Sequence, residues 1–457
     1  MTLSLRLQAT LCKAESQVCE EALTHLSNNG YEPLVREAKR KFIGVFGGSE
    51  ADVSAPWDAY PDALYKYPYR RLALTRYNRE YGIPVAGDIF FIKEGTGVLF
   101  LTLQVPGAAF ARRSPEQETE SEPRLLAGFI GEDADANGLE PFIDIVSEAL
   151  KNQDAEPNWQ PVQTRSPQFR ELCSSEDTKF VLASSLPQQE LELSGILEDL
   201  WIRNLAVTIR RAGAILIDDL ARRAEIGPDE VQAAIERLQK GGLLSQEYVV
   251  ICTKTSNQVN RVNSRQQIEQ MGKIGVRCSC GNLISEERIE KLIVPTSTLQ
   301  KMLDQSYWMT ARLVYLLGDL QVPQDRVLLN LQEGPEEIDA FVDLDGSLVM
   351  FELKDSLFSM GHAYPFSGRI GLYKPDVAVI VSTRGIAPEV KEYFKQIEPE
   401  ASLVYVGSLG DLGSRLGEIV AQVRWQTAQE LIAQFDPMAN IGISLAEVLA
   451  PRLGIGQ

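Results

Sequence analysis

The 457-residue chain reads as α/β, a multidomain α+β protein, and three observations carry that expectation. Apolar residues recur with the helical period in some stretches and with the strand period of two in others, and the two kinds alternate along the chain. Turn dipeptides that favour positive φ punctuate them, Asp345-Gly346 and Gly241-Gly242 being the clearest. Composition is that of an ordinary globular protein, 44% hydrophobic and 24% charged, at a length that calls for two to four domains. No apolar run reaches the roughly eighteen residues of a membrane span. Met1–Leu7 lacks the charged start and long apolar stretch of a secretory signal. Six scattered cysteines form no disulfide framework, and these features together point to the cytoplasm.

Residues 1–190 are expected to form an N-terminal α+β region of unknown fold. An amphipathic helix pattern runs from about Thr10 to Asn28 and stops at Asn29-Gly30. Asp88–Ile92 and Val98–Leu103 read as two strands of a hairpin turning at Glu94–Gly97. Trp57–Arg79 interleaves tyrosines with Arg70, Arg71, Arg76 and Arg79. Such a segment either stacks bases and contacts phosphates or is a packed loop with snorkelling arginines. Phe46-Gly47-Gly48 is followed by no Gly-Lys-Ser/Thr, so it reads as a turn rather than a P-loop. Arg112–Glu122 is an exposed polar loop, Pro141–Lys151 a helix, Lys179–Ala183 a short strand and Ser184–Gln189 a linker. No recognisable chemistry falls here, which leaves sensing or partner binding as the expected use.

Residues 195–251 read as helix, turn, helix and strands. Ile215–Arg223 is the first helix, Ala224–Gly227 the turn, and Pro228–Lys240 the second helix with proline in its first turn. Gly241-Gly242 stops it, and Leu243-Leu244 and Tyr248–Ile251 supply strands. The order resembles a winged helix, which in DNA-binding members sets its second helix in the major groove. Arg210, Arg211, Arg222 and Arg223 are the candidate nucleic-acid contacts. The acidic Asp229, Glu230 and Glu236 on the second helix leave a protein-protein or dimerisation role equally open. Residues 252–294 follow as a zinc-ribbon-like segment. Cys278-Ser279-Cys280-Gly281 resembles one knuckle, and Cys252-Thr253-Lys254-Thr255 a partner with Thr255 in place of its second cysteine. A structural zinc takes four ligands. Three cysteines are at hand and His25 and His362 lie far off in sequence, so the segment is expected to have lost its zinc, or the cysteines are unrelated.

Residues 295–457 hold the chemistry. Asp345-Gly346 suits a two-residue type I′ turn, which sets Leu344 opposite Ser347. Asp339 then faces Glu352, and Glu337 faces Lys354. Ile338, Ala340, Val342, Val349, Phe351 and Leu353 make one apolar face, while Glu337, Asp339, Glu352 and Lys354 gather at one end of the other. Carboxylates held this close repel unless a cation balances them. Mg²⁺ takes oxygen ligands and keeps several waters, so two carboxylates and a backbone carbonyl hold it. A neighbouring ammonium can orient the attacking water or steady charge on a phosphate. The simpler alternative is a surface hairpin with solvated charges.

Asp339, the short hairpin and Glu352-Leu353-Lys354 resemble the PD-(D/E)xK signature of restriction-endonuclease-like nucleases. The flanking pattern agrees: helix from Ser297 to Leu320, strand Arg326–Gln332, the hairpin, a helical or looped segment to Tyr373, strand Asp376–Ser382, helix Pro388–Gln396, strand Ser402–Val406 and helix Leu409–Val423. That is the αβββαβα order of the family core. The resemblance implies that Asp339, Glu352 and the Leu353 carbonyl hold Mg²⁺, with Mn²⁺ able to substitute, and that Lys354 is the catalytic lysine. Ile338 stands where the motif has proline. The first helix offers only Asp304 and Asp319 where many members carry a glutamate, which leaves Glu337 as a third carboxylate. In that family the stretch matching Asp355–Arg369 borders the active site. His362 is the candidate proton donor or phosphate contact and Arg369 the phosphate clamp. Ser-His-Asp hydrolysis lacks its Gly-x-Ser-x-Gly elbow.

The expected function is therefore Mg²⁺-dependent endonucleolytic cleavage, of DNA in preference to RNA. Fused architectures of this kind resemble effectors of bacterial restriction or anti-phage defence. Paired cuts on a duplex would need a homodimer. The net charge of −18 repels phosphate, although residues 195–294 balance 14 basic against 13 acidic side chains. Two other classes stay open: a binding protein that keeps a nuclease-like fold as scaffold, and a subunit silent until a protein partner or trigger assembles it.

Overall fold

The computed structural model describes residues 3–13, 15–45, 83–92, 95–105, 122–152, 156–162, 165–174, 180–217, 219–220, 228–330, 338–433 and 445–453. Trp57–Arg79, Phe46-Gly47-Gly48, Arg222, Arg223 and Glu337 lie outside these residues. The protein is a mixed α/β chain divided into two compact units, with three sheets among the described residues. Among the described residues no helix is long and apolar enough to cross a membrane.

Unit 1 comprises Met1–Glu171, Asp343–Leu348 and Ser414–Gln457. Its sheet uses β1 (Leu3–Leu11), β2 (Ile83–Phe91), β3 (Val98–Val105), β4 (Arg124–Glu132) and β5 (Gln160–Pro161), antiparallel in the order β2-β3-β4-β1-β5. The helix read from Thr10 starts only at Ser16, because Thr10 and Leu11 belong to β1, which pairs with β4 over its whole length. Leu3, Leu7 and Ala9 are buried at strand spacing, and the pairing partner outweighs the local helical pattern. Both sheet faces are covered. Leu125, Ala127 and Phe129 pack with the helices Ser16–Asn28 and Leu139–Lys151. Leu126 and Ile130 face the other way, toward Trp425, Leu431 and Ile432. Gly128 is needed there, since a Cβ would lie 2.0 Å from the Phe100 ring.

Unit 2 comprises Leu172–Val342 and Val349–Gly413. It begins at 172 rather than near 190, and β6 (Phe180–Leu182) already belongs to its main sheet. β7 (Ile215–Leu216), β8 (Leu244–Ile251), β9 (Gln258–Val262) and β10 (Arg288–Pro295) form an antiparallel sheet in the order β7-β10-β8-β9, alongside the helices Leu200–Ala212 and Pro228–Lys240. Ile215 and Leu216, read as the start of a helix, are instead a strand paired with Ile293 and Leu292. β10 pairs with β8 over eight residues, so residues 195–251 and 252–294 share one sheet rather than forming separate modules.

The second sheet adds β11 (Val327–Asn330), β12 (Ala340–Leu344), β13 (Ser347–Lys354), β14 (Val377–Ser382) and β15 (Ser402–Val406), in the order β15-β14-β13-β12-β11-β6. The β13–β14 and β14–β15 pairs are parallel, and β11 runs antiparallel to β12 and β6. Parallel neighbours need crossovers, supplied by the helices Met360–Tyr373 and Pro388–Ile397. β14 is buried throughout, as a central parallel strand should be.

Candidate active site

The site is built on the β12–β13 hairpin. Asp345 and Gly346 have φ of 48° and 92°, the pair of left-handed residues that a type I′ turn requires. The turn leaves two residues between β12 and β13 and is tied by the Gly346 N–H donating to Asp343 Oδ1 at 3.1 Å. At the far end of the hairpin, just ahead of β12, Asp339 Oδ2 accepts the Leu353 N–H at 2.6 Å. Glu352 is only 2% exposed. Its Oε1 lies 3.0 Å from Lys354 Nζ and its Oε2 3.1 Å from Arg369 Nη1. A carboxylate this buried needs such partners, since leaving it unpaired costs several kcal/mol, on the order of 3–5.

Lys354 hands its carbonyl to the Thr383 N–H at 3.0 Å, on the β14 side. Carbonyls alternate in direction along a strand, so the Leu353 carbonyl turns the other way, toward Asp339. Asp339, Leu353, Lys354 and Asp355 then share the wall of a cleft of about 440 Å³. Lys301, Asp304, Tyr307 and Asn330 complete much of the lining.

The opposite wall comes from the break between the helices Ser297–Leu303 and Tyr307–Asp319. Gln305 and Ser306 at the break have φ of 46° and 59°. Two consecutive left-handed non-glycine residues cost on the order of 1–3 kcal/mol each and concentrate at functional sites. Three side chains, Arg210, Lys301 and Tyr307, make contacts that hold them there. Arg210 donates to the Leu303 carbonyl at 2.7 Å and to Asp304 at 3.1 Å. Lys301 pairs with Glu190 at 2.7 Å, and the Tyr307 hydroxyl donates to the same carboxylate at 2.7 Å. Burial, then that hydrogen bond, pushes the Tyr307 phenol up, so it stays a donor.

Asp355 is fixed from three sides. Thr383 Oγ1 donates to it at 2.8 Å, Trp308 Nε1 at 3.3 Å, and Arg203 Nε lies 3.3 Å away. Arg203 is almost fully buried and stacks on the Trp308 ring at 4.6 Å. Burial lowers its guanidinium pKa, and Asp355 works against that fall.

Of the residues read from sequence, the structure brings Asp339, Leu353 and Lys354 to the cleft, with Glu352 and Arg369 bonded beside them. His362 is elsewhere engaged: its Nδ1 accepts the Ser359 N–H at 3.1 Å, capping the helix Met360–Tyr373. Arg369, read as a phosphate clamp, grips Glu352. Arg210 is spent on the cleft wall, and Arg211 is exposed. Lys301, Tyr307 and Glu190 escaped sequence reasoning. Glu190 carried no local signal at all, lying 111 residues from the lysine it holds.

The donors gathered at the hairpin end are carboxylate and carbonyl oxygens with no sulfur or imidazole among them, a set that fits a hard divalent cation and not a soft one. No protein-family model matches the chain. No curated protein matches it in sequence. Among solved structures the chain aligns with protein VC1899 from Vibrio cholerae, a crystal structure, at 14% identity and a TM-score of 0.29. The alignment covers 56% of this chain and spans 58% of that one.

Proposed function

We propose that the chain is a cytoplasmic Mg²⁺-dependent nuclease with a restriction-endonuclease-like core, cutting DNA in preference to RNA. The observation that carries this reading is the meeting of Asp339, Leu353 and Lys354 at one cleft, with the buried Glu352 bonded to Lys354. The order helix, β11, β12, β13, helix, β14, helix, β15, helix around that wall supports it.

Asp339, Glu352 and the Leu353 carbonyl are the residues that would hold Mg²⁺, or Mn²⁺ in its place. When bound, the ion supplies positive charge at the scissile phosphate and acidifies a coordinated water. Lys354 presents its ammonium to the cleft, where it orients the attacking water or steadies charge on a phosphate oxygen. Arg369 fixes the Glu352 carboxylate, and Lys301 on the facing wall meets the next phosphate along the strand. Asp304 and Asp355 also line the cleft, their charge offset by Arg210 and Arg203.

Both Glu352 oxygens are engaged by cations. One of those ion pairs has to open for the carboxylate to take a metal, which favours an enzyme at rest until a protein partner or trigger acts. The winged-helix-like lobe and unit 1 are the regions left for recognising that trigger. An effector role in bacterial restriction or anti-phage defence is the cellular form of this reading.

The test is cleavage of plasmid, single-stranded DNA and RNA with Mg²⁺, Mn²⁺ or EDTA, comparing wild type with Lys354→Ala and Asp339→Asn. Metal-dependent cutting lost in both variants is the expected result. A wild type that binds nucleic acid yet cuts nothing in any metal, with or without candidate partners, makes the fold a scaffold.

A further inference from the structure

We propose that Cys252, Cys278, Cys280 and Glu287 form a closed four-ligand site for a structural zinc ion. Their donor atoms all lie within 4.8 Å of one another. A tetrahedral zinc with Zn–S near 2.3 Å and Zn–O near 2.0 Å sets its donors roughly 3.5–3.8 Å apart, so a small adjustment completes the shell, in which the Glu287 Oε1 and Cys280 Sγ pair opens from 2.8 Å. The cysteine missing from the first knuckle, where Thr255 stands, is replaced by a carboxylate from another strand.

The fold delivers the four ligands by three routes. In the β8–β10 ladder Ile251 faces Arg288, so Cys252 and Glu287 are the next opposed pair, one step beyond the last rung. Cys252 opens a tight loop, with its N–H donating to the Asn257 carbonyl at 2.9 Å and its carbonyl accepting from the Ser256 N–H at 2.8 Å. Cys278 and Cys280 sit on a second tight turn, closed by the Gly281 N–H on the Cys278 carbonyl at 2.9 Å. Gly281, at φ +97°, is what lets that turn close.

Glu287 points to a metal most directly. It is 5% exposed, and among the described residues no lysine or arginine pairs with it. Thr253 donates to Oε2 twice, from its N–H at 2.7 Å and its hydroxyl at 2.8 Å. That leaves Oε1 aimed at the sulfurs, 2.8 Å from Cys280 Sγ. One oxygen oriented by outer hydrogen bonds and the other turned to the ligand cluster is how metal-bound carboxylates are held. Three thiolates select a soft or borderline ion over Mg²⁺, and S₃O donors in a tetrahedral shell suit zinc. Cys252 and Cys278 are 1% and 4% exposed and Cys280 is half-buried, so the site is largely closed, as suits a structural rather than a catalytic ion.

Beside the site, Val250, Val262, Ile268 and Ile284 form a small buried cluster, to which a bound metal would add a cross-link between the end of β8 and the start of β10.

The experiment is elemental analysis of the full-length protein as purified, followed by cobalt titration of the metal-stripped chain. One zinc per chain is expected, released by a thiol-modifying reagent. Bound cobalt should show tetrahedral visible bands with sulfur-to-metal charge transfer. Cys278→Ser should abolish binding, whereas Cys173→Ser should keep it. Glu287→Gln should weaken cobalt binding by at least about tenfold and shift the visible bands while the sulfur charge transfer stays. Thr253→Val, which removes only the supporting hydroxyl, should weaken it by about tenfold. A folded wild type that carries no zinc and takes up no cobalt overturns the site, as does a Cys252–Cys278 disulfide found by mass spectrometry in the freshly isolated chain. Unchanged cobalt spectra in Glu287→Gln remove the carboxylate from it.

Discussion

The hairpin cleft and the sulfur cluster are two answers to the same problem, that of gathering negative donors in one place. At the hairpin the repulsion is met by the protein's own cations, Lys354 and Arg369 on Glu352, and the donors are oxygens on the wall of an open cleft. At the knuckles no lysine or arginine pairs with Glu287 among the described residues, and its Oε1 faces the sulfurs of the buried Cys252 and Cys278 and the half-buried Cys280. Internal cations leave a hairpin site whose carboxylate is already neutralised, with its neighbours on an open cleft. A closed shell leaves one that only an ion completes, and that holds it. Sites for chemistry and sites for architecture therefore differ less in residue type than in who neutralises them.

The sharpest way to break this comparison is through the lysine. Lys354→Ala should lower metal-dependent cleavage by about 10²–10⁴-fold, the range for losing a positioned acid–base or electrostatic group. A rate within severalfold of wild type would place the chemistry elsewhere. Chelation separates the two sites next. Brief EDTA treatment should abolish cleavage, restored fully by Mg²⁺, while bound zinc measured on the same sample stays unchanged.

Arg369→Ala removes one of the two cations that keep Glu352 in place. It should destabilise unit 2 by about 3 kcal/mol in urea unfolding, less if Lys354 compensates. Asp88 in unit 1 is a control that belongs to neither cluster. It accepts the Val35 and Arg36 N–H groups at the start of the helix Leu34–Val45, and burial lifts its carboxyl from 3.8 to about 6 despite those bonds. A raised carboxyl pKa means the folded state holds the proton more tightly. The stability it lends is complete below pH 3.8 and is lost as the pH climbs through 6, a change of about 3 kcal/mol at most. In Asp88→Asn that loss should vanish, so urea midpoints of variant and wild type should diverge between pH 4 and 7 in the variant's favour. The smallest effect belongs to His362→Ala. Losing its capping bond should cost about 1 kcal/mol, with cleavage little changed; a collapse of cleavage instead would return His362 to the catalytic set.

Much of the hairpin was legible because its information is local. Asp345-Gly346 admits few turns, a two-residue turn sets the register, and the register places Asp339 against Glu352. The strands and helices that follow, down to Ser402–Val406, also lie close to where their periodicity puts them. The cleft's other wall was not legible. The break at Gln305-Ser306 falls inside a continuous helical pattern, and it is held by Arg210 and Glu190 from distant segments. The place of Glu287 beside the knuckle cysteines was not legible for a related reason: nothing local sets one glutamate apart among 63 acidic residues.

By itself, then, the sequence determined the mixed α/β class, the type I′ hairpin and the residues aligned along it, because turn chemistry and side-chain alternation act over a few residues. Tertiary structure decided the rest. It made a strand of Ile215-Leu216 by pairing it with β10, and drew β6 into the second sheet from residues that read as N-terminal. It gave Arg369 to Glu352, and brought Glu287 opposite Cys252. Each of these depends on which strand or helix lies alongside, and a partner tens of residues away leaves no mark on the local pattern.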